Sequence, residues 1–248
     1  MDKFFKTEAV VLSTTDFGDA NRVVTFFTRN YGKIEANAYG CRRAKSSLSG
    51  AMQMFNHISL EFIKGIEINR VYEADIINFY NINDDLNKLA YASFFLELVK
   101  KMMPLEQIDE NVFDLLLNSL KAFDKRNPRV AALIAACQFI ANTGFQLSFK
   151  YCVECDKKIT GDAKISVSKG GAICLDCCSN VIDAVDYPES VRKLFLKLLT
   201  FDWQDSTKFT LKAKDLTIAE DFFIKYIKSV LEAPLNSLNF LQMIKSIK

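Results

Sequence analysis

The stretch KTEAVVLSTTDFGDANRVVTFFTRNYGKIEANAY, residues 6–39, decides how the chain begins to fold. Residues 6–14, 21–28 and 33–39 are rich in β-branched and aromatic side chains, and several alternate apolar with polar, the period of a half-buried strand. The turn signals DFGD at 16–19 and NYG at 30–32 separate them. Working outward, residues 57–63 and 68–77 read as two more strands, joined through the KG pair at 64–65. The longest connection, 40–56, holds SSLSGAMQM, which suits a short helix. Five strands with a helix between the third and fourth is the order of an OB-type Greek-key barrel, a fold that often binds single strands or oligosaccharides. A small SH3-like barrel gives a similar string.

From about residue 83 the period turns helical. DDLNKLAYASFFLELVKKMMP sets Leu86, Leu89, Ala90, Phe94, Leu98 and Met102 near one stripe, with acidic residues at its start, a lysine pair near its end and Pro104 after it. NVFDLLLNSLKAF and PRVAALIAACQFIANTGF continue the pattern, the second with Pro128 in its first turn and Gly144 at its close. PESVRKLFLKLLTF, LTIAEDFFIKYIKSVLE and LNSLNFLQMIKSIK are three further amphipathic helices. The expected fold class is therefore α+β and multi-domain: an OB-fold nucleic-acid-binding domain over 1–80 and an α-helical domain over 81–248, with a metal-binding hairpin inserted at 150–180.

Composition sets limits on function. Half of the 248 residues are apolar and 12% aromatic, which excludes a disordered chain. The 32 basic and 30 acidic side chains are too balanced to indicate nucleic acid by themselves, so the placement of charge matters. The start, MDKFFKTEAVVLSTTD, lacks an apolar run long enough for a signal peptide, no run of about 18 apolar residues occurs, and a cytoplasmic protein is expected. In a reducing compartment, clustered cysteines are metal ligands more often than disulfides.

Such a cluster is present. Cys152, Cys155, Cys174 and Cys177 form two C-x2-C pairs, with Cys178 adjacent and KGGAIC supplying a glycine turn before the second pair. Each pair turns two thiolates toward one tetrahedral ion, and the hairpin between them closes the site, so one structural Zn2+ is expected. A redox dithiol would need only one pair. Four thiolates leave no open position for catalysis; Cys178 competes with Cys177 as the fourth ligand.

The basic signal is local. Between residues 29 and 45, five basic side chains (Arg29, Lys33, Arg42, Arg43, Lys45) stand against Glu35 alone. GCRRAKSS sits at the end of a barrel strand, where a loop can track a phosphate backbone. A merely solvated loop is the plain alternative. Phe17, Tyr31 and Tyr39, at strand ends, are candidate stacking rings, although core burial is the commoner fate of any one of them. His57, the single histidine, alternates with Ile58, Leu60 and Phe62 and is expected to face solvent. No P-loop, G-x-G-x-x-G or G-x-S-x-G is present, and no catalytic residues are expected.

TTDFGDANRVVTFFTRNYGKIEANAYGCRRAKSSLSGAMQMFN, residues 14–56, resembles the N-terminal barrel of the bacterial recombination mediator RecO family. The resemblance rests on Phe17-Gly18-Asp19, the strand Arg22 to Thr25, Gly32-Lys33, Gly40 with Arg42, Arg43, Lys45 and Ser46, and Leu48, Gly50, Gln53 and Phe55. DLNKLAYASFFLELVKKMMP is similar to the family's first helix after the barrel, and many members carry a paired C-x2-C module in this place. Two positions depart from the pattern: Asn21 stands where an acidic residue is common, and Cys41 where alanine is frequent.

The resemblance implies a non-enzymatic DNA-repair protein of the cytoplasm and nucleoid. It implies binding to single- and double-stranded DNA, annealing of complementary strands and, with RecR, loading of RecA onto strands coated by single-strand-binding protein (SSB), which meets the helical domain through an acidic tail. Arg42, Arg43 and Lys45, helped by Lys33 and Arg22, are the expected DNA contacts, binding phosphates without reading bases. An OB and zinc-module RNA-binding or transcription accessory protein and a protein scaffold without nucleic acid are the other classes the residues admit.

Overall fold

A computed structural model describes residues 4–145, 147–204, 211–231 and 233–246. Strands β1 (Phe4–Phe17), β2 (Asn21–Thr28), β3 (Gly32–Ala38), β4 (His57–Ile63) and β5 (Asn69–Asn78) close into a barrel in the order β1-β2-β3-β5-β4. All neighbours are antiparallel except β3 and β5, whose short parallel pairing completes the ring. β1 is long enough to serve two partners. Its first half pairs with β4 and its second with β2, and a bulge between Val11 and Ser13 bends it from one to the other. With the one-turn helix α1 (Leu48–Ala51) between β3 and β4, this is the OB arrangement, and the SH3-like alternative falls away.

The barrel core follows from alternation. Ala9, Val11, Val24, Phe26, Ile34, Ala36, Ile58, Leu60 and Phe62 point inward, and Cys41, Ala51 and Met52 from the long connection plug one mouth. Cys41 is thus a packing residue at 0% exposure.

Two sequence expectations fail here, one through tertiary cover and one through position at a helix end. His57 lies on the outer face of β4 as its alternation requires, yet it is only 5% exposed. The ring of Phe113 stands 6.1 Å away, and Glu8 Oε2 and Asn78 Nδ2 hydrogen-bond its two nitrogens at 3.1 and 3.2 Å. Burial pulls the His57 pKa below its usual 6.5, outweighing the Glu8 carboxylate that would raise it. Leu86, assigned to the apolar stripe, is 62% exposed because it is the first residue of its helix.

The helices are α2 (Leu86–Met102), α3 (Glu110–Lys125), α4 (Pro128–Asn142), α5 (Glu189–Leu199), α6 (Ala213–Val230) and α7 (Asn236–Ser246). Glu232 at the expected end of α6, and Ile247 and Lys248 at that of α7, lie outside the described residues. Asp85 caps α2 by accepting from the amides of Asn87 and Lys88, and Asp109 caps α3 through that of Val112. Such caps stabilise a helix by about 1 kcal/mol. α2 buries nearly its whole circumference because it packs against β1, α3 and α7 together.

By its contacts the chain forms two compact units. One is Met1–Ala132 with Leu235–Lys248, so it joins α2, α3 and α7 to the barrel; the other is Leu133–Pro234. The second unit has its own aromatic core, in which Phe149 stacks on Phe195 at 4.1 Å and Phe222 meets both edge-on. It also holds a small sheet of β6 (Ala163–Ser166), β7 (Gly171–Cys174) and β8 (Val185–Asp186) in the order β7-β6-β8.

Candidate nucleic-acid interface and metal centre

The loop after β3 is held to the turn between β1 and β2. Gly40 donates its N–H to Asn21 Oδ1 at 2.8 Å, and Arg42 donates its own to the Ala20 carbonyl at 3.0 Å. Asn21 therefore keeps an acceptor oxygen where an acidic side chain is common. Gly40 has φ +66°, a backbone that glycine adopts without the cost a side chain would bring. These bonds give the basic loop a fixed base.

Its cations fall into two sets. Asp16 binds the Arg22 Nε at 2.8 Å through one oxygen and the Arg42 Nε at 3.2 Å through the other. The Arg22 hydrogen bond, more than the charge of Arg42, holds the Asp16 carboxyl below its usual range. Arg43 and Lys45 are exposed and have no ion-pair partner among the described residues. Arg43 folds back over Gly40, its guanidinium carbon 4.0 Å from where a Cβ would stand. Arg42 and Arg22 thus brace the loop, while Arg43 and Lys45 remain available to a phosphate.

Lys33 is elsewhere. It sits five residues before Ala38 along β3, roughly 17 Å away at the rise of a strand. Its ammonium donates to the Lys100 carbonyl at 2.6 Å in the last turn of α2, where a cation offsets the helix dipole. Burial lowers its pKa. Arg29 is likewise engaged away from the loop, paired with Asp114 at 3.1 Å and lying over the Phe113 ring.

Of the three candidate rings, Tyr31 packs edge-on against Phe5 and Phe62 beside the barrel core. Tyr39 is 49% exposed, with Phe17 edge-on at 6.0 Å. A residue that sequence reading missed joins them: Arg70 of β5 places its guanidinium 5.4 Å from the centre of the Tyr39 ring. Only the β3–β5 pairing, which sets Asn37 beside Arg70, brings it there.

In the second unit, the Sγ atoms of Cys152, Cys155, Cys174 and Cys177 all lie within 4.8 Å of one another. Cys155 and Cys174 are 3.8 Å apart, close to the roughly 3.8 Å edge of a tetrahedron with Zn–S bonds of about 2.3 Å. Both pairs sit on tight turns. Asp156, at φ 55°, donates to the Cys152 carbonyl at 2.9 Å, and Cys177 donates to that of Cys174 at 3.1 Å. Gly171 lets the segment before the first pair lie against β7, since a Cβ there would stand 2.1 Å from the Ser148 carbonyl oxygen.

The electrostatics of the four thiols fit a cation. Burial would raise the Cys152 pKa, but the backbone N–H groups of Cys174, Glu154 and Cys155 prevail and bring it to about 7. Cys177 is pushed up to about 12 by Cys174 and Cys155, because thiolates this close cannot all ionise without a positive charge among them. Cys178 hydrogen-bonds the Leu175 carbonyl at 3.1 Å and is not in the group; Cys177 is. The donor set could hold one tetrahedral metal ion with no vacant position.

The molecule is an OB-barrel protein with a braced basic loop, followed by a helical region carrying a four-cysteine cluster. Residues 1–80 match the family model described as Recombination protein O N terminal, and residues 83–239 match Recombination protein O C terminal. The chain belongs to the RecO family. Similar proteins named DNA repair protein RecO include that of Caldicellulosiruptor bescii, 29% identical over 98% of this chain and 100% of the relative. Those of Acetivibrio thermocellus (27%; 99% of each chain) and Halalkalibacterium halodurans (27%; 98% of this chain, 96% of the relative) are comparable. No helix among the described residues is long and apolar enough to cross a membrane.

Proposed function

We propose that the protein is a non-enzymatic mediator of DNA repair and recombination. It binds single- and double-stranded DNA without sequence preference, anneals complementary strands, and with RecR loads RecA onto SSB-coated DNA in the cytoplasm, at the nucleoid. The observation that carries this reading is the loop of Arg42, Arg43 and Lys45, exposed at the mouth of an OB barrel in a chain of the RecO family. Arg43 and Lys45 neutralise phosphates; Arg42 and Arg22 hold the loop and add to its field. Lys33 drops out of the contact set because its ammonium is committed to α2.

Contacts to phosphates alone position a strand without reading it. Annealing requires that indifference: two like-charged backbones are screened while their bases remain free to pair. The four cysteines hold one structural Zn2+, which ties the hairpin of β6 and β7 to the Cys152–Cys155 turn. For the SSB tail, a groove of about 220 Å³ in the second unit has a net basic lining: Lys193, Lys197 and Lys212 outnumber Asp215 around Leu194 and Leu211.

The deciding experiment is annealing of complementary oligonucleotides coated with SSB. Annealing through that coat, weakened in Arg43→Ala with Lys45→Ala, is the expected result. No annealing, with tighter binding to structured RNA than to single-stranded DNA, would support the RNA-binding class instead.

A further inference from the structure

Tyr39 follows the last residue of β3 and directly precedes Gly40. Although half exposed, its ring is held. Phe17 meets it edge-on at 6.0 Å, Asn37 Nδ2 donates to its hydroxyl at 3.3 Å, and the Arg70 guanidinium lies 5.4 Å from its centre. Arg43, without an ion-pair partner among the described residues, folds against Gly40, the next residue. A fixed aromatic ring, a planar cation over it and a second cation, Arg43, folded against the next residue are the three elements that a nucleotide's base and phosphate require.

We propose that Tyr39 and Arg70 form a docking platform for an unpaired nucleobase, and that this platform makes the barrel favour single strands over duplex. The inference rests on the nucleic-acid reading above and adds a second kind of contact to it. Arg43 and Lys45 attract any phosphate backbone, paired or not. A ring and a guanidinium plane instead attract the flat face of a base, and in a duplex those faces are covered by the neighbouring pairs. Every base has such a face, so the platform tolerates any sequence. Tyr31 cannot take this part, since it packs against Phe5 and Phe62. Phe17 acts as the wall that orients Tyr39.

The test is equilibrium binding of the full chain to three labelled ligands: an oligothymidine, a duplex of equal length and an abasic single strand. Tyr39→Ala should weaken oligothymidine binding roughly 5- to 140-fold, the effect of losing one stacked base, with the salt slope unchanged. Affinity for the duplex and the abasic strand should not change, and Tyr39→Trp should restore wild-type behaviour. Arg70→Lys keeps the charge but loses the plane, so it should weaken only the oligothymidine. Equal losses on all three ligands, or failure of both Tyr39→Ala and Arg70→Lys to affect oligothymidine binding, would overturn the platform. If those variants are silent while Arg43→Ala and Lys45→Ala still reduce the salt slope, only the platform is wrong. If the wild-type chain binds none of the ligands at low salt, the parent reading falls with it.

Discussion

The carboxylate of Glu97, on α2, accepts the backbone N–H of Ser237 at 2.8 Å from 140 positions away in the chain, and that of Asn236 at 3.0 Å. It thereby satisfies two of the donors that the start of α7 leaves without helical partners. Burial raises the Glu97 pKa, but the donors of Ser237 and Asn236 with the Lys101 ammonium lower it further, so the net position is below 4.5. Glu97→Ala is expected to cost about 1–2 kcal/mol in urea unfolding. Because the folded pKa is depressed, the stabilisation is present above pH 4.5 and is lost as pH falls through the folded value. The gap between wild type and variant should therefore close in acid; a gap constant from pH 7 to 3 would reject the role.

His57 gives a pH dependence from a different cause. Its folded pKa lies below 6.5 because burial disfavours the imidazolium, so the unfolded chain binds the proton more readily. Stability from the neutral ring is complete above about pH 6.5 and declines as pH falls toward the folded pKa. Thermal melts between pH 7.5 and 5 should show this decline in wild type and a flatter profile in His57→Asn. Parallel profiles would contradict the assignment.

The metal centre is tested by stoichiometry. One equivalent of zinc per chain is expected by elemental analysis, lost in Cys152→Ser and kept in Cys178→Ser, because only the former sulfur belongs to the cluster. Chelation should lower the melting temperature and expose backbone amides around β6 and β7 to hydrogen exchange. A metal-free protein of unchanged thermal stability would refute the structural role.

Salt dependence separates the two sets of cations in the loop. Arg43→Ala and Lys45→Ala should each reduce the slope of log K against log salt by about 0.7 on single-stranded DNA. Lys33→Ala should leave the slope unchanged. Asp16→Asn should tighten binding, because it removes the negative charge shared by Arg22 and Arg42. Weaker binding by that variant, with its fold intact by circular dichroism, would show that bracing outweighs charge.

Much of this architecture is local and therefore legible in sequence. β2 and β4 occupy the residues their alternation marks, and α2 to α7 lie where the helical period places them. The four cysteines at paired spacing meet in space because each pair needs only one tight turn and the two need one hairpin. The succession of strands along the chain, the helix periodicity, the paired cysteine spacing and the basic run were determined by the sequence alone, since each is set by residues close together in the chain.

Tertiary structure decided the rest. The face of His57 is polar by alternation, and only the arrival of Phe113 buries it. Lys33 lies within a basic run, but a carbonyl of α2 takes its ammonium. Arg70 is one exposed arginine among others until the parallel β3–β5 pairing sets it over Tyr39. Arg42 and Arg43 are adjacent and chemically alike, and only the position of Asp16 makes one a brace and leaves the other free. The physical reason is common to all four: the role of a charge or ring is set by what desolvates or pairs it, and those partners come from distant parts of the chain.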